Sequence, residues 1–134
     1  MRGVVVTTEG LLYVKDFGAP LYKSLGEAVG GYIEVVHPLG FQQADPVHRE
    51  LCFVCNEEGS LKHLDLNAFA SVLYGTHVHG SPIVGNIVIM REGMTNGDRD
   101  FVEMEDADIE WVKDLARWVS GGLIREVQEG DTSA

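Results

Sequence analysis

The chain has 134 residues, which fits one domain with a core of its own and no need of covalent staples. Hydrophobic residues at 45% and charged residues at 23% are ordinary for a globular protein, and no apolar run is long enough to span a bilayer. Ten basic residues against 21 acidic ones leave a formal charge of -11; such a surface repels phosphate backbones, so direct binding of DNA or RNA is not expected.

Residues 4–8 and 11–15 are β-rich runs around Glu9-Gly10, the pattern of a hairpin. Pro20 suits the start of a helix over 20–29, where Leu21, Leu25, Ala28 and Val29 recur on one face and Gly30 is placed to close it. Residues 32–37 alternate as a strand that Pro38 ends. A long irregular connection is expected over 38–49, then a strand over 51–56 and a turn at Glu57-Glu58-Gly59. A short helix follows near 67–73, then a glycine-punctuated loop over 74–82. The next strand is expected over 83–90, with a bulge or close backbone approach at Gly85-Asn86, and 93–100 reads as polar and turn-rich. Residues 106–120 are the clearest helix: Ile109, Val112, Ala116 and Val119 make its stripe. Glu103, Glu105, Asp106 and Asp108 gather at its positive end, and Gly121-Gly122 stops it. Residues 123–127 add a last short element. The expectation is a single α+β domain over 1–127, a mostly antiparallel β-sheet with two main helices packed on one face, and a disordered acidic tail over 128–134.

Chemistry-bearing clusters are few. Cys52 and Cys55 have the spacing of a metal or redox pair, yet they lie inside an apolar β-run that puts them on opposite faces, and no second pair completes a zinc site. They read as buried structural thiols, reduced if the protein is cytoplasmic. Cytoplasmic residence is the expectation, because the N-terminal apolar run reads as a strand and is too short for a signal peptide. His77-Val-His79 is the better metal candidate: in an extended chain the two imidazoles share a face, with His37, His63 and Asp65 as third ligands. A solvated, glycine-flanked loop outweighs that reading, so no metal is assigned. No nucleophile elbow, phosphate loop, dinucleotide fingerprint or His-Glu-x-x-His is present, and no cofactor is expected.

Five tracts carry a resemblance: Val-Gly-Gly-Tyr-Ile-Glu-Val-Val (29–36), Cys-Asn-Glu-Glu-Gly-Ser-Leu-Lys (55–62), Leu-Asp-Leu-Asn-Ala (64–68), Gly-Ser-Pro-Ile-Val-Gly-Asn-Ile-Val-Ile (80–89) and Phe-Val-Glu-Met-Glu-Asp-Ala-Asp-Ile (101–109). In this order they resemble the domain-of-unknown-function family numbered 3846, over roughly the first 110 residues. The resemblance implies a small protein of the kind common in phages and mobile elements, and no agreed activity. It marks Tyr32, Asn56, Glu57 and Asn67 as polar family-like positions, for which turn and cap duty is the bland alternative. The longer 38–49 segment, the His-Val-His of the 74–82 loop and the extended last helix depart from the usual pattern.

Three function classes follow. The leading one is a non-enzymatic small-ligand-binding protein, phage- or mobile-element-encoded, acting as a counter-defence sponge for a nucleotide signal. Its ligand-binding residues are Tyr32, Arg49, Asn56, Lys62, Asn67, Tyr74, His77 and His79, the polar side chains of the loops, with Arg49 or Lys62 meeting a small anionic ligand. The alternative is an acidic interaction module that mimics nucleic acid, using the carboxylates at the start of the last helix. The third is a metal-dependent enzyme using His77 and His79. No membrane partner is expected. A homo-oligomer through the last helix is, if Trp111 and Trp118 are exposed.

Overall fold

The computed structural model describes residues 1–130; the side chains of His77 and His79 lie outside that description. In chain order the elements are β1 (Arg2–Val6), β2 (Leu11–Asp16), α1 (Leu21–Val29), β3 (Ile33–Val36), α2 (Leu39–Gln42), β4 (Leu51–Asn56), α3 (Ala68–Tyr74), α4 (Thr76–His79), β5 (Ile87–Thr95), β6 (Asp98–Val102), α5 (Asp106–Ser120) and β7 (Arg125–Glu126). One sheet runs β3-β4-β5-β1-β2-β7, with β6 on the outer half of β5. Among the described pairs only β2 with β7 is parallel. The fold is α+β, as the pattern of separated hairpins and helices implies.

The helices do not share one face. Leu25 and Val29 of α1 pack with Val5, Cys52, Val54, Val88 and Met90 on one side of the sheet. On the other side, Ile109, Val112 and Ala116 of α5 join Phe69, Ala70 and Leu73 of α3 and Phe41 of α2 over Val4, Val6, Phe53, Ile87 and Ile89. The cause is in the strands themselves. All six residues of β4 are buried, as are the first four of β5. Continuous apolar runs of this kind belong to strands covered on both faces, whereas a one-sided sheet alternates apolar with polar. Cys52 and Cys55 accordingly fall into opposite layers.

Other boundaries move for local reasons. Gly85 and Asn86 precede β5 instead of bulging within it: Gly85 N–H donates to Asp65 C=O at 2.7 Å, and Asn86 Oδ1 accepts from Thr8 N–H at 3.1 Å. The stretch over 38–49 holds the short helix α2, whose Phe41 is fully buried. Beyond Arg91, β5 continues into the region expected to be turn-rich and folds back as β6, in register from Arg91↔Val102 to Thr95↔Asp98. The turn between them is Asn96-Gly97, with φ of 52° and 85°. Two left-handed residues in a two-residue loop suit the strand twist, and Asn-Gly is the strongest pair for it. Of the stretch expected to be a disordered tail, Glu129 pairs with Lys15, and residues 131–134 lie outside the described residues.

A side chain with a Cβ at φ 85° costs about 1–2 kcal/mol. Gly97→Ala should therefore lower unfolding stability by about that amount in urea titrations, while Asn96→Gly should change it by less than about 0.5 kcal/mol.

Candidate functional site

Asn67 is the most engaged polar residue of the expected set, and its role is architectural. It is 1% exposed. Its Oδ1 accepts the Ala70 N–H at 3.0 Å and so caps α3. Its Nδ2 donates to the carbonyls of Val6 at 3.1 Å and Gly85 at 3.0 Å, which fastens α3 to β1 and to the approach to β5. Both amide hydrogens and the oxygen are in use, so a ligand would have to break the fold to reach them.

Asn56 ends β4 in the same manner. Its Nδ2 donates to Val29 C=O at 3.1 Å, and its Oδ1 accepts from Glu58 N–H at 2.8 Å, shaping the turn. Lys62 arrives at the same place, donating to Gly30 C=O at 3.2 Å. A cation there meets the negative end of α1. Tyr32 stands beside them with its side chain 74% exposed, and its carbonyl accepts the Glu57 N–H at 2.8 Å.

On the α5 side of this corner lies a pocket of about 290 Å³, with buried Cys55 and Asn56 at its base. Glu34 and Val36 of β3, Glu57 and Ser60 of the turn, Tyr74 at the end of α3, and Ser81 to Val84 form its walls. Gly59 lets the turn close down on that wall: a Cβ there would sit 2.7 Å from Val84 Cγ2. Glu34 lies directly across from Cys55 in the β3–β4 register, and Glu57 follows Asn56. Among the described residues neither carboxylate is in an ion pair.

Of the expected residues, Asn56 and Tyr74 line this pocket and Tyr32 and Lys62 stand beside Asn56 outside its lining, while Arg49 and Asn67 lie elsewhere. Arg49 precedes β4 and donates Nε–H to Ala44 C=O at 3.2 Å, whereas Lys62 follows β4. By strand rise alone the two ends of β4 are about 20 Å apart, so no pocket of this size holds both cations. The 76–79 backbone is a helical turn, which removes the extended geometry on which a shared face for His77 and His79 depended. Their side chains lie outside the described residues. Among the described residues no three His, Cys, Asp or Glu side chains converge as metal ligands.

The carboxylates at the start of α5 are occupied. Arg2 donates to Glu103 at 2.9 Å and to Asp106 at 2.6 Å, which holds the Glu103 carboxyl below its usual range. Asp108, 1% exposed, accepts from Arg91 Nη1 at 2.9 Å and from Glu105 N–H at 2.9 Å. The two tryptophans differ as well. Trp111 is half-buried and stacks on His48, ring centroids 4.1 Å apart and planes at 7°, while Trp118 is 82% exposed.

A family model described as "Domain of unknown function (DUF3846)" matches residues 1–117. The chain belongs to this family. Neither a curated protein nor a solved structure matches it. The DUF3846 match takes in the whole corner pocket. Glu34, the wall residue that sequence reading passed over, sits inside the tract 29–36; its only signal was an acidic side chain on the alternating strand before Pro38. Among the described residues no helix is long and apolar enough to cross a membrane.

Two tests follow. Asn67→Ala removes a cap and leaves two buried carbonyls unpaired, and should cost about 2–4 kcal/mol in urea denaturation. Burial pushes both thiols up, Cys55 to about 12 and Cys52 higher still, with Glu34 and Glu92 respectively adding to the effect. In the unfolded chain they ionise at about 8.5, so above that pH the folded state holds more protons than the unfolded one. Their contribution is complete below about pH 8.5 and is lost as pH rises towards 12, by about 1.4 kcal/mol per pH unit per thiol. A Cys52→Ala/Cys55→Ala variant should show a shallower decline of stability between about pH 9 and 11.

Proposed function

We propose that this DUF3846 protein is a non-enzymatic binding module whose site is the acidic pocket beside β3, and that its ligand presents a positively charged group. The observation that carries the reading is the pair of bare carboxylates, Glu34 and Glu57, on the walls of one pocket. Arg2, Arg91, Arg99, Lys113 and Arg117 are all drawn to carboxylates elsewhere in the protein, Lys62 donates to the Gly30 carbonyl, and among the described residues no cation forms an ion pair with either of these two. Two like charges sharing a half-open pocket are relieved by a bound cation, and the same charges oppose a phosphate. The expectation of a nucleotide-like anion rested on Arg49 and Lys62, which this pocket does not include. The ordered walls carry hydrogen-bonding groups, Ser60, Tyr74 and Ser81, suited to orienting a ligand.

A setting in a phage or mobile element belongs to the same proposal. A module that holds its ligand without turning it over acts by sequestration, the mode a counter-defence sponge requires. The rival idea, a nucleic-acid mimic built on the start of α5, is less favoured because Arg2 and Arg91 already engage three of its four carboxylates, Glu103, Asp106 and Asp108.

Calorimetric titration with spermidine, an arginine amide and a set of linear and cyclic nucleotides tests the reading. Heat is expected with the cations and should weaken as salt rises. A charge-assisted contact contributes about 1.5–3 kcal/mol, so Glu34→Gln or Glu57→Gln should weaken binding about tenfold or more without lowering Tm. Binding of nucleotides with no response to the cations would overturn the proposal.

A further inference from the structure

We infer that the outer edge of β3 is a docking edge for an extended, basic segment of a partner protein, which joins the sheet as an additional strand and turns its cationic side chains towards Glu34 and Glu57. This rests on the cation reading of the pocket and names what carries the cation.

The backbone comes first. Glu57 N–H donates to Tyr32 C=O, so Tyr32, Glu34 and Val36 direct their main-chain groups at β4. In an antiparallel ladder the intervening residues face the other way, and the N–H and C=O of Ile33 and Val35 therefore point away from the sheet. Among the described residues no hydrogen bond reaches them from outside. The other margins are treated differently. Along β2 the segment around β7 supplies bonds, Arg125 N–H to Gly10 C=O and Val127 N–H to Leu12 C=O, both at 2.8 Å. The outer strand β6 carries Asp98, Arg99 and Asp100, the charged dressing that keeps edges from pairing.

The occupant follows from Glu34. A second copy of this chain, paired so that both Ile33 and Val35 bond with their counterparts, would bring Glu34 directly opposite itself. Like charges so placed destabilise a sheet pair. A strand with Lys or Arg opposite Glu34 turns the same contact into an attraction. Next to it, Glu57 adds a second carboxylate, and Tyr32, 74% exposed and paired with Glu57 two residues before Glu34, shares by strand alternation the face of Glu34 and offers an aromatic side chain to a cation. The alternate residues of the segment would meet Val35, itself 36% exposed, and prefer to be apolar. Backbone pairing would give affinity, and the acidic pocket would select the side chain. The overall charge of -11 steers such a partner inwards.

The probe is a capped seven-residue peptide of alternating Lys and Val, compared with the same peptide N-methylated on the residues that would bond β3, and with spermidine. Val35→Pro in the full-length chain blocks the edge; the Val35 N–H makes no ladder bond, so the fold keeps its pairs. The expected result is slowed amide exchange at Ile33 and Val35 on adding the peptide, with binding at least tenfold weaker after N-methylation or in Val35→Pro. Spermidine should bind wild type and Val35→Pro alike. If spermidine binds in a Glu34-dependent way while N-methylation makes no difference, the strand inference falls and the cation site stands. If neither peptide nor spermidine binds, both fall.

Discussion

The structure depends on burial of both faces of its central strands. With β4 buried at every position and β5 buried through its first four, each face needs its own cover. That constraint places α1 on one side and α3 and α5 on the other, and it leaves little room for polar chemistry near the middle of the sheet. The thiols of Cys52 and Cys55 sit in that middle, with ionisation suppressed by burial, and are poor nucleophiles for the same reason. Polar groups with freedom to act are displaced to the ends and margins, and the corner where β3, the turn after β4 and the end of α3 meet is one such place.

A second consequence concerns charge. The protein is not uniformly acidic in its internal wiring. Arg2 ties the start of β1 to the chain before α5, and Arg91 bridges Asp108 with the Val47 carbonyl, joining β5, α5 and the 38–49 segment. Such contacts hold long-range elements in place; removing one partner of the Arg91–Asp108 pair would strand a nearly buried charge. With these cations committed to their partners, Glu34 and Glu57 are in no ion pair among the described residues.

Much of the architecture was legible from apolar runs and periodicity. The helices α1 and α5, the first hairpin, and the capping role of Asn67 follow from residues whose local preference agrees with their final surroundings. The second half of β5 was not read as a strand because Glu92, Met94 and Thr95 lack the apolar pattern, although Asn96-Gly97 carried the hairpin signal. The two-faced cover was written in the unbroken apolar runs, which separated hairpins obscured. The candidate site was harder for a physical reason. Glu34 and Glu57 are 23 residues apart in sequence and become neighbours only through the β3–β4 register, which no local pattern fixes. The same holds for Arg2 and the α5 carboxylates, whose separation in sequence exceeds 100 residues.

The stacking of His48 on Trp111 has an optical consequence. The two indoles of this protein occupy unlike surroundings, one half-covered by an imidazole from the 38–49 segment and one standing in water at the end of α5. Replacing Trp118 with Phe would leave a single emitter whose colour and quenching report whether that segment is seated against the helix, and so give the fold an intrinsic gauge of its own periphery.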